Sequence, residues 1–595
     1  MEDVRWKRER FSLMKKKNIF PLPYSIFHKR SFIFLLSVFF SGCSLLGLHI
    51  KIHNPHKAGK YPPVSKALKL QGELTKYRSC YDVKYYNLNI DIDPAKQYIN
   101  GHVAITSLAT EDIDTLQFDL YKNMKLKRVS IWNNIVDKKH TYMYEMKIGY
   151  KRVEGAVFIS TSEKISAGNY FTIYIDYEGS PQQAKKAPWD GGLVWKKDKQ
   201  GNPWVGVACE TEGASLWWPC KDHNSDEADS TSISISVPKG LMCVCNGQFK
   251  DSNEVDANRM NYSWFVSYPI NNYDVTFYIG KLKLLHDVYD SPVTGKQLPL
   301  NHYVLPANYD IAKEHFQQLK GQLAVYEKLY GAYPWYNDGF KLVESPYAGM
   351  EHQSAIAYGN GFKNDYNNFD YIILHETAHE WWGNSVTAAD LADVWLQEGF
   401  ATYSEALYVE SQHGKQAYLN YLRFQRMFII NRRPVVGPVG RRWFWYKDGD
   451  VYMKGTWVLH TLRSLINNDN MFFDIIKSFR VTYNMKTVSS QNFIDLVNAR
   501  SGKDYLWFFK QYLYNRFTPV LEYKVNGSKF IYQWSHTDID FSMPISVRIN
   551  GTLYEISPFV YKKSILDAKE PIRENELQFN DDMMLFGKKK CGSFN

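Results

Sequence analysis

Residues 371–410 read YIILHETAHEWWGNSVTAADLADVWLQEGFATYSEALYVE and contain a pattern that suits a bound metal ion. His375 and His379 are four positions apart, so on a helix both imidazoles lie on one face, a single turn from each other. Glu398 follows after eighteen intervening residues, within a second stretch of helical periodicity. Two imidazoles and one carboxylate suit zinc and leave a fourth position open for water. We therefore predict one zinc ion per chain, held by these three residues.

The residues around this pattern indicate hydrolysis of a carbonyl compound. A zinc ion with an open position lowers the pKa of bound water and polarises a substrate carbonyl. Glu376 stands next to the first histidine, where its carboxylate can take the proton of that water. The resulting oxyanion needs a second donor, and Tyr452, at the start of a later predicted helix, offers a phenol. A core helix whose histidines only make hydrogen bonds is the alternative, and the carboxylates of Glu398 and Glu405 in a second helix argue against it.

The basic residues are concentrated at the start of the chain. Residues 1–42 hold nine lysines and arginines and three acids, so they carry +6 of the net charge of +10. The other 553 residues carry a net charge of only +4. Nucleic-acid binding usually needs a strongly basic surface, so we predict no nucleic-acid partner. A length of 595 residues with 45% hydrophobic content predicts roughly two to four domains with sizeable cores.

The same basic region has the plan of an export signal. An apolar run at residues 31–40 follows it, and then Ser-Gly-Cys at residues 41–43, small residues suited to cleavage. Because small residues directly before a cysteine resemble a bacterial lipobox, we predict a signal peptide at 1–43 with Cys43 as the lipidated first residue of the mature protein. The alternative is an uncleaved anchor at residues 31–50, which is long enough to span a bilayer. Both interpretations place the body outside the cytoplasm, in the cell envelope.

Six cysteines remain besides Cys43. A bridge between Cys209 and Cys220, or between Cys243 and Cys245, is conceivable in that compartment, but pairing cannot be read from the sequence. No paired C-x-x-C spacing occurs, so a cysteine zinc site is not expected.

The periodicity of apolar residues divides the rest of the chain into three parts. From residue 81 to about 287 the period is two, as in Leu88, Ile90 and Ile92, which predicts an antiparallel β-sandwich-like domain. The period becomes helical from about residue 310 to 514 and returns to two from residue 519, where Asn-Gly pairs mark hairpin turns. The predicted fold is multidomain α+β with a signal peptide 1–43, a tether 44–75, an N-terminal β domain 76–289, a catalytic α/β domain 290–518 and a C-terminal β module 519–595.

Four sequence motifs together resemble one enzyme family. HETAHEWWGN followed by WLQEGFATYSE contains the metal pattern, and residues 349–352, Gly-Met-Glu-His, approximate a Gly-x-Met-Glu-Asn motif two dozen residues before the first ligand. Residues 452–455 read Tyr-Met-Lys-Gly, and Glu210 stands nine positions before a Pro-Cys pair. In this order and spacing the motifs resemble the zinc aminopeptidases of the aminopeptidase N family, which includes leukotriene hydrolase. The resemblance covers about residues 75–520.

This resemblance implies a thermolysin-like catalytic domain and roles for further residues. Glu210 and Glu351 are expected to bind the free α-amino group of a peptide. Since a buried carboxylate without its cation is costly, such a pair rejects blocked or internal peptide bonds. Ala348, Gly349 and Met350 are expected to line the substrate, with backbone groups that face the peptide strand and the oxyanion.

Two further positions are interpreted through the same resemblance. Glu405 is expected to orient a zinc ligand, His379, from behind. His352 stands where the family has Asn, so this side of the amine site departs from the family pattern.

Together these features predict a bacterial cell-envelope zinc aminopeptidase that removes N-terminal residues from oligopeptides. Its predicted partners are peptides with a free N-terminus and a membrane, which it reaches through a lipid or an N-terminal anchor. One alternative is epoxide hydrolysis of the leukotriene-hydrolase kind, whose mark would be a long, narrow apolar tunnel that no sequence stretch shows. The other is a non-catalytic, lipid-anchored peptide-binding protein, which the presence of both Glu376 and Tyr452 disfavours.

Overall fold

The computed structural model describes residues 61, 63–137, 140–441 and 449–593. All of them belong to one compact unit of the chain. The predicted signal peptide, the lipidated Cys43 and the alternative anchor lie outside the described residues. None of the described helices is both long and apolar enough to cross a bilayer.

The N-terminal domain consists of strands whose side chains alternate between core and solvent. Along the first strand, Leu88, Ile90 and Ile92 are buried while Asn89 and Asp91 are exposed, so one face of the sheet joins the core. Two short helices, α1 (Lys66–Gly72) and α2 (Lys76–Ser79), precede the strands. The strands are β1 (Tyr81–Asp93), β2 (Tyr98–Ala109), β3 (Ile113–Asp119), β4 (Met124–Asp137), β5 (His140–Met146), β6 (Ile148–Val153), β7 (Ala156–Ile165), β8 (Tyr170–Gly179), β9 (Gly192–Lys197), β10 (Pro203–Ala208), β11 (Glu227–Ala228), β12 (Ser230–Pro238), β13 (Met242–Cys245), β14 (Gln248–Asp256), β15 (Arg259–Val266), β16 (Ile270–Asn271) and β17 (Phe277–Gly280).

The main sheet of this domain has the strand order β14-β15-β12-β1-β2-β8-β4-β5. Neighbouring strands are antiparallel except β1 and β12, which run parallel, so the sheet departs at this one pair from the predicted antiparallel arrangement. A smaller sheet, β13-β17-β10-β9, contacts the catalytic part, where Tyr347 Oη donates to the carbonyl of Val207 in β10 at 2.6 Å.

The catalytic part combines a small sheet with a group of helices. Its elements are β18 (Lys283–Asp290), β19 (Gln297–Val304), α3 (Tyr309–His315), α4 (Gln318–Tyr330), β20 (Leu342–Glu344), β21 (Gly349–Met350), β22 (Ile356–Tyr358), α5 (Tyr371–His379), β23 (Val386–Ala388), α6 (Trp395–Arg426), α7 (Asp450–Ile466), α8 (Asp469–Thr482), β24 (Lys486–Val488), α9 (Ser490–Ser501) and α10 (Leu506–Phe509). The sheet has the order β18-β19-β20-β22-β21, so β21 lies at an edge. Helix α6 is interrupted by Gly414, with φ 78°, a backbone conformation that glycine adopts readily.

The C-terminal module adds two small sheets. Its strands are β25 (Val520–Asn526), β26 (Lys529–Ser535), β27 (Ile545–Ile549), β28 (Thr552–Ile556), β29 (Ser564–Asp567), β30 (Gln578–Phe579) and β31 (Gly587–Lys590). The two Asn-Gly pairs join antiparallel neighbours, β25 to β26 and β27 to β28. Asn550 and Gly551 both have positive φ, 48° and 82°, as a tight hairpin turn requires.

Two hydrophobic cores stabilise the described chain. The first belongs to the N-terminal domain and also includes Val343, Met350 and Ala357 from the catalytic sheet. The second is shared by the catalytic helices and the C-terminal module, so Trp457 and Trp534 lie in one buried cluster. The C-terminal module is therefore an extension of the catalytic core.

Polar contacts hold the C-terminal module on helices α6 and α7. Arg423 makes a bidentate pair with the carboxylate of Asp582, at 2.7 and 2.6 Å. His460 Nε2 donates to the backbone carbonyl of the same aspartate at 2.9 Å. The backbone N–H of Leu585 donates to Thr461 Oγ1 at 3.0 Å, so the helices that carry the predicted site depend on this module for part of their packing.

The observed elements refine the predicted boundaries and the state of the cysteines. Residues 63–75, predicted as tether, contain α1, whose Gly72 is buried because the helix packs on a loop of the catalytic part. Strand β18 pairs with β19, so the strands of the catalytic sheet begin at Lys283 rather than after residue 289. No disulfide joins any two of the described cysteines, and Cys243 Sγ lies 4.0 Å from Cys245 Sγ.

Substituting His460 by Gln is expected to make the stability of the protein less sensitive to acid. Burial lowers the pKa of His460 from its ordinary 6.5 to about 3, so the ring is neutral in the folded protein. Between these values the unfolded chain binds a proton that the folded chain does not. The free energy of unfolding therefore falls, as the pH drops below 6.5, by about 1.4 kcal/mol per pH unit on account of this residue.

Denaturant unfolding of wild type and His460→Gln between pH 7 and pH 5 measures this difference. His413→Gln, at an exposed position of α6, is the matched control and should keep the wild-type slope. If the His460→Gln variant has the wild-type slope as well, the buried ring is protonated in the folded protein and the argument fails.

Candidate active site

Helix α5 carries both predicted histidine ligands and begins at a well-bonded cap. The carboxylate of Asp370 accepts hydrogen bonds from the backbone N–H of Ile372 at 3.0 Å and from Tyr358 Oη at 2.7 Å. These bonds fix the start of the helix. One turn separates His375 from His379, and their Nε2 atoms lie 3.1 Å apart.

The Nδ1 atom of each histidine makes a hydrogen bond on the side away from the other histidine, and this bond decides the tautomer. His375 Nδ1 lies 2.7 Å from Glu405 Oε1. His379 Nδ1 lies 2.8 Å from the backbone carbonyl oxygen of Trp382. Because carboxylate and carbonyl oxygens accept, both Nδ1 atoms carry the proton and both Nε2 lone pairs face the same space.

Glu405 therefore orients His375, and the prediction that it orients His379 is wrong. Glu405 lies two turns after Glu398 on α6, at the point where this helix passes the first histidine. His379 is the last residue of α5, so the turn that follows brings a backbone carbonyl to its ring instead. Tyr421 Oη donates to the second oxygen of Glu405 at 2.5 Å, which fixes the carboxylate in turn.

Glu398, in the first turn of α6, completes the donor set. Its Oε2 lies 3.3 Å from His375 Nε2 and 3.4 Å from His379 Nε2, and one donor atom from each residue lies within 4.8 Å of the others. Burial opposes ionisation of Glu398, but the two imidazoles beside it lower its pKa to about 2, so it is a carboxylate. Two oriented imidazoles and one carboxylate fit the single zinc ion that the sequence predicts.

Tyr452 reaches this donor set because helices α6 and α7 touch. A Cβ on Gly399 would lie 3.1 Å from Gly455 Cα, and a Cβ on Gly455 would lie 3.0 Å from Gly399 Cα, so a side chain at either position would push the helices apart by a few tenths of an ångström. At this separation Tyr452 Oη donates to Glu398 Oε1 at 2.9 Å. The Tyr452 ring also stacks on His375, with ring centroids 6.1 Å apart. Sequence reasoning missed this pair of glycines, although each lies inside a motif.

Glu376 lies against the edge strand β21. A Cβ at Gly349 would collide with Glu376 Oε1 and lie 2.9 Å from Ile372 Cγ2, so only glycine lets the strand come this close to α5. Burial raises the pKa of Glu376 to about 8, although the neighbouring His375 lowers it. A carboxylate in this setting is a stronger proton acceptor than one in water.

Strand β21 offers a place where an extended peptide can bind. Gly349 and Met350 pair with β22 on one side, and β21 is the last strand of its sheet in the part of the chain that the structure describes. A peptide can add to such an edge through backbone hydrogen bonds. Ala348 is half-buried just before the strand, whereas the Met350 side chain packs into the N-terminal core and so fixes the position of the strand.

Glu351 contacts Tyr273 of the N-terminal domain, and the charge of Glu210 acts on the same tyrosine. Glu351 is 2% exposed, and its Oε1 accepts a hydrogen bond from Tyr273 Oη at 3.2 Å. Burial raises the pKa of Tyr273 well above 10, and the charges of Asp274, Glu351 and Glu210 raise it further, so Glu210 lies within electrostatic range of this hydroxyl. Both predicted amine ligands therefore act on Tyr273 electrostatically, although they come from different domains.

The predicted amine site lies directly beside the metal donors. Donor atoms of Glu351, Glu376 and His379 lie within 4.8 Å of one another. Gln397, the residue before the third metal ligand, donates from Nε2 to Tyr273 Oη at 3.1 Å. Sequence reasoning missed Gln397 and Tyr273, because neither stands out by type or spacing and only the packing of the two domains brings them together.

His352, which departs from the family pattern, is buried and faces the N-terminal domain. Its Nδ1 lies 2.8 Å from Tyr278 Oη, and this hydroxyl donates to the carbonyl of Ala355 at 2.8 Å. Burial lowers the pKa of His352 to about 3, so the ring is neutral. The residue thus joins strand β17 to the loop that carries Glu351, and this is a structural contribution to the amine site.

The sequence matches both domains of a known peptidase family. Residues 82–273 match the Peptidase M1 N-terminal domain, and residues 316–512 match the Peptidase family M1 domain. Together these matches cover more than half of the chain. The chain belongs to the M1 peptidase family. The resemblance seen in the four motifs and the predicted multidomain α+β fold are both confirmed.

This M1 peptidase is similar to proteins from several organisms. Leukotriene A-4 hydrolase of Xenopus laevis is 23% identical over 435 residues, which cover 69% of this chain and 67% of that protein. Leucine aminopeptidase 2 of Saccharomyces cerevisiae is 24% identical over 407 residues, which cover 67% of this chain but only 57% of the yeast protein. The crystal structure of an M1 zinc metallopeptidase from Deinococcus radiodurans has a TM-score of 0.62 at 21% identity over 75% of this chain and 96% of that chain, which shows a shared fold.

In this M1 peptidase, Glu405→Gln is expected to weaken zinc binding by about 10-fold to 100-fold. The neutral amide no longer holds the Nδ1–H of His375 through a charged hydrogen bond, and such partners of metal ligands typically contribute this much to metal affinity. Competition with a chromogenic chelator measures the change. Glu410→Gln, on the same helix but paired with Arg463, is the control and should bind zinc like wild type. Equal affinities for all three proteins would contradict the assigned role of Glu405.

Proposed function

We propose that this protein is a zinc-dependent aminopeptidase that removes single residues from the N-terminus of oligopeptides. The observation that carries the proposal is the placement of a buried Glu351 carboxylate within 4.8 Å of donor atoms of Glu376 and His379. A buried carboxylate favours a cationic partner, and the free amine of a peptide supplies one. With the amine held so close to the metal donors, the first peptide bond is the one within reach.

Substrate binding falls to residues of the amine site and of strand β21. Glu351 and Glu210 hold the amine, and the peptide backbone lies along β21 past Ala348, Gly349 and Met350. Because blocked peptides leave the carboxylates without a cation, the site selects free N-termini.

Proton transfer and charge stabilisation fall to Glu376 and Tyr452. When bound by His375, His379 and Glu398, zinc supplies a Lewis acid that polarises the carbonyl and lowers the pKa of water. Glu376 takes the proton of the attacking water and passes it to the leaving amine. Tyr452 Oη, held at the metal donors by its bond to Glu398, donates to the oxyanion.

Two alternatives have less support. For epoxide hydrolysis, the buried carboxylate of Glu351 would have no cation to bind when an uncharged epoxide occupies the site, and this is unfavourable. Moreover, aminopeptidases are found among the relatives besides the leukotriene hydrolase. A non-catalytic peptide-binding protein would not need Glu376 and Tyr452, both of which lie at the donor set.

We also propose that the protein is exported and held at a membrane of the cell envelope through a lipid on Cys43. The support is the order of a basic region, the apolar residues 31–40 and the small residues before Cys43. An uncleaved anchor at residues 31–50 is the competing proposal.

Residues 44–595 are expected to cleave a panel of aminoacyl chromogenic amides with a free amine and to leave the same amides intact when they are N-acetylated. A zinc chelator should abolish the cleavage, and added zinc should restore it. Cleavage of acetylated substrates would remove the roles given to Glu210 and Glu351. The control Glu376→Gln should bind zinc like wild type but turn over at least about 10²-fold more slowly, because it loses the proton acceptor.

Cys43→Ser is expected to move the protein from the membrane fraction to the soluble fraction of the cell envelope, because serine cannot take the lipid. Fractionation followed by immunoblotting measures this, with Cys80→Ser as the control that should stay in the membrane fraction. If Cys43→Ser stays in the membrane fraction too, the lipid proposal falls and the anchor at residues 31–50 is supported.

A further inference from the structure

The N-terminal strap, defined as Tyr61 and residues 63–79, is firmly attached to the N-terminal β domain. Arg78 is fully buried, and its Nη2 lies 2.7 Å from Asp119 Oδ2 at the end of β3. Its Nη1 donates to the backbone carbonyls of Gln71 and Glu73 at 3.0 and 2.9 Å, which holds the last turn of α1. This buried guanidinium bonds the end of α1 and pairs with Asp119, so it fixes the position of Gly72 relative to the sheet.

The strap meets the α6–α7 loop, the described residues 427–441, in a backbone-to-backbone contact. A Cβ at Gly72 would lie 2.7 Å from the carbonyl carbon of Gly440 and 3.0 Å from Arg441 Cα. From the other side, a Cβ at Gly440 would lie 3.2 Å from Glu73 Cγ. A methyl group at Gly72 therefore has no room unless the loop moves.

A second contact is made by Tyr61, whose ring lies near two arginines of the same loop. Arg433 Cζ is 5.5 Å and Arg441 Cζ is 5.8 Å from the centroid of the Tyr61 ring. Cations at this distance from an aromatic face are attracted to it. The strap thus contacts the loop near both ends of the segment 433–441.

The loop also makes hydrogen bonds to the segment directly before α6, the helix that carries the third metal ligand, Glu398. Gly440 donates from its backbone N–H to Asp390 Oδ2 at 2.8 Å, and Gly437 donates to the carbonyl of Ala392 at 3.0 Å. This short turn leads directly into α6, where the N–H of Glu398 donates to the carbonyl of Val394 at 3.0 Å. A shift of the loop is therefore passed to the start of the helix that bears Glu398.

The loop is also tied to the helix that carries the phenol. Asp450, the first residue of α7, accepts hydrogen bonds from the backbone N–H groups of Ile430 and Asn431 at 2.8 and 2.7 Å. Tyr452 follows two residues later and donates to Glu398. The same loop thus touches the start of both helices whose side chains meet at the metal donors.

We propose that the N-terminal strap is a positioning element of the active site, in which the contact of Gly72 with Gly440 sets the loop that aligns Tyr452 with Glu398. The inference rests on the proposed function for its kinetic consequence, because the hydrogen bond between these two residues places the oxyanion donor. The strap touches neither the substrate nor the metal donors, so it acts through the loop alone.

The first test is Gly72→Ala in the full chain, with Gly149→Ala as the matched control. A Cβ at Gly149 meets no atom within 4 Å, and its substitution should change nothing. Alanine within α1 would ordinarily favour the helix, so a loss of activity would come from its clash with the loop. We expect kcat of Gly72→Ala to fall by about tenfold with KM within about twofold, because the amine site is built on other elements. An unchanged kcat overturns the proposal.

A double-mutant cycle separates positioning from general damage. Tyr452→Phe lacks the hydroxyl that the strap is proposed to align, so adding Gly72→Ala to it should lower kcat by less than about twofold. A further fall of about tenfold, equal to that in the wild-type background, would show that the strap acts independently of Tyr452, and the proposal would be rejected.

Amide hydrogen exchange provides a readout that does not depend on activity. The amides of Gly437 and Gly440 should exchange faster in Gly72→Ala than in wild type, and at the wild-type rate in Gly149→Ala. If the wild-type protein cleaves no peptide, the proposed function fails, while this exchange still decides whether the strap holds the loop. Should Gly72→Ala fail to fold, Tyr61→Leu replaces it, with the same direction expected in both readouts. Wild-type exchange and wild-type kcat in a folded variant overturn the proposal.

Discussion

The backbones of α6 and α7 touch at Gly399 and Gly455, and the geometry of the site follows from that contact. The residue before Gly399 is the third metal ligand, and Tyr452 lies one turn before Gly455, so the approach of the two helices puts the phenol on the carboxylate. In a close-packed interior a displacement of one helix cannot be absorbed by its neighbours without cost. The metal donors and the oxyanion donor are therefore set by one crossing rather than by two independent arrangements.

The N-terminal domain contributes chemistry as well as support. Trp204 Nε1 donates to the carbonyl of Glu344 at 3.1 Å and Lys196 Nζ donates to that of Pro346 at 2.7 Å, so its smaller sheet holds the segment that leads into β21. Tyr273 then reaches across to Glu351. This domain supplies residues at the end of the site that suits an amine. The catalytic helices supply the donors at the end that suits a metal. Neither domain alone contains a complete site.

The local parts of the site were predictable from the sequence, and the tertiary parts were not. The spacing of His375 and His379 fixes their common face on any helix, whatever the rest of the chain does. The partner of Glu405 depends on where α6 crosses α5, and a one-turn difference changes which histidine it meets. The roles of Tyr273 and Gln397 arise only from domain packing, so their residue types carry no signal.

The tertiary contacts of the N-terminal strap were likewise not predictable from the sequence. Its polar, proline-containing sequence is typical of a linker, and composition cannot reveal that Gly72 has a backbone neighbour from residue 440 or that Arg78 is buried against a carboxylate. In contrast, the strands of the N-terminal domain were predictable because their alternation is a local property that burial on one face preserves.

The contacts of Asp582 and Leu585 with α6 and α7 also constrain the order in which the enzyme is assembled during synthesis. A ribosome releases the metal-binding helices long before these residues, and the shared core that includes Leu585 and Phe586 cannot close until they emerge. A nascent chain therefore passes through a long period in which its zinc ligands exist but the helices that align them are incompletely packed.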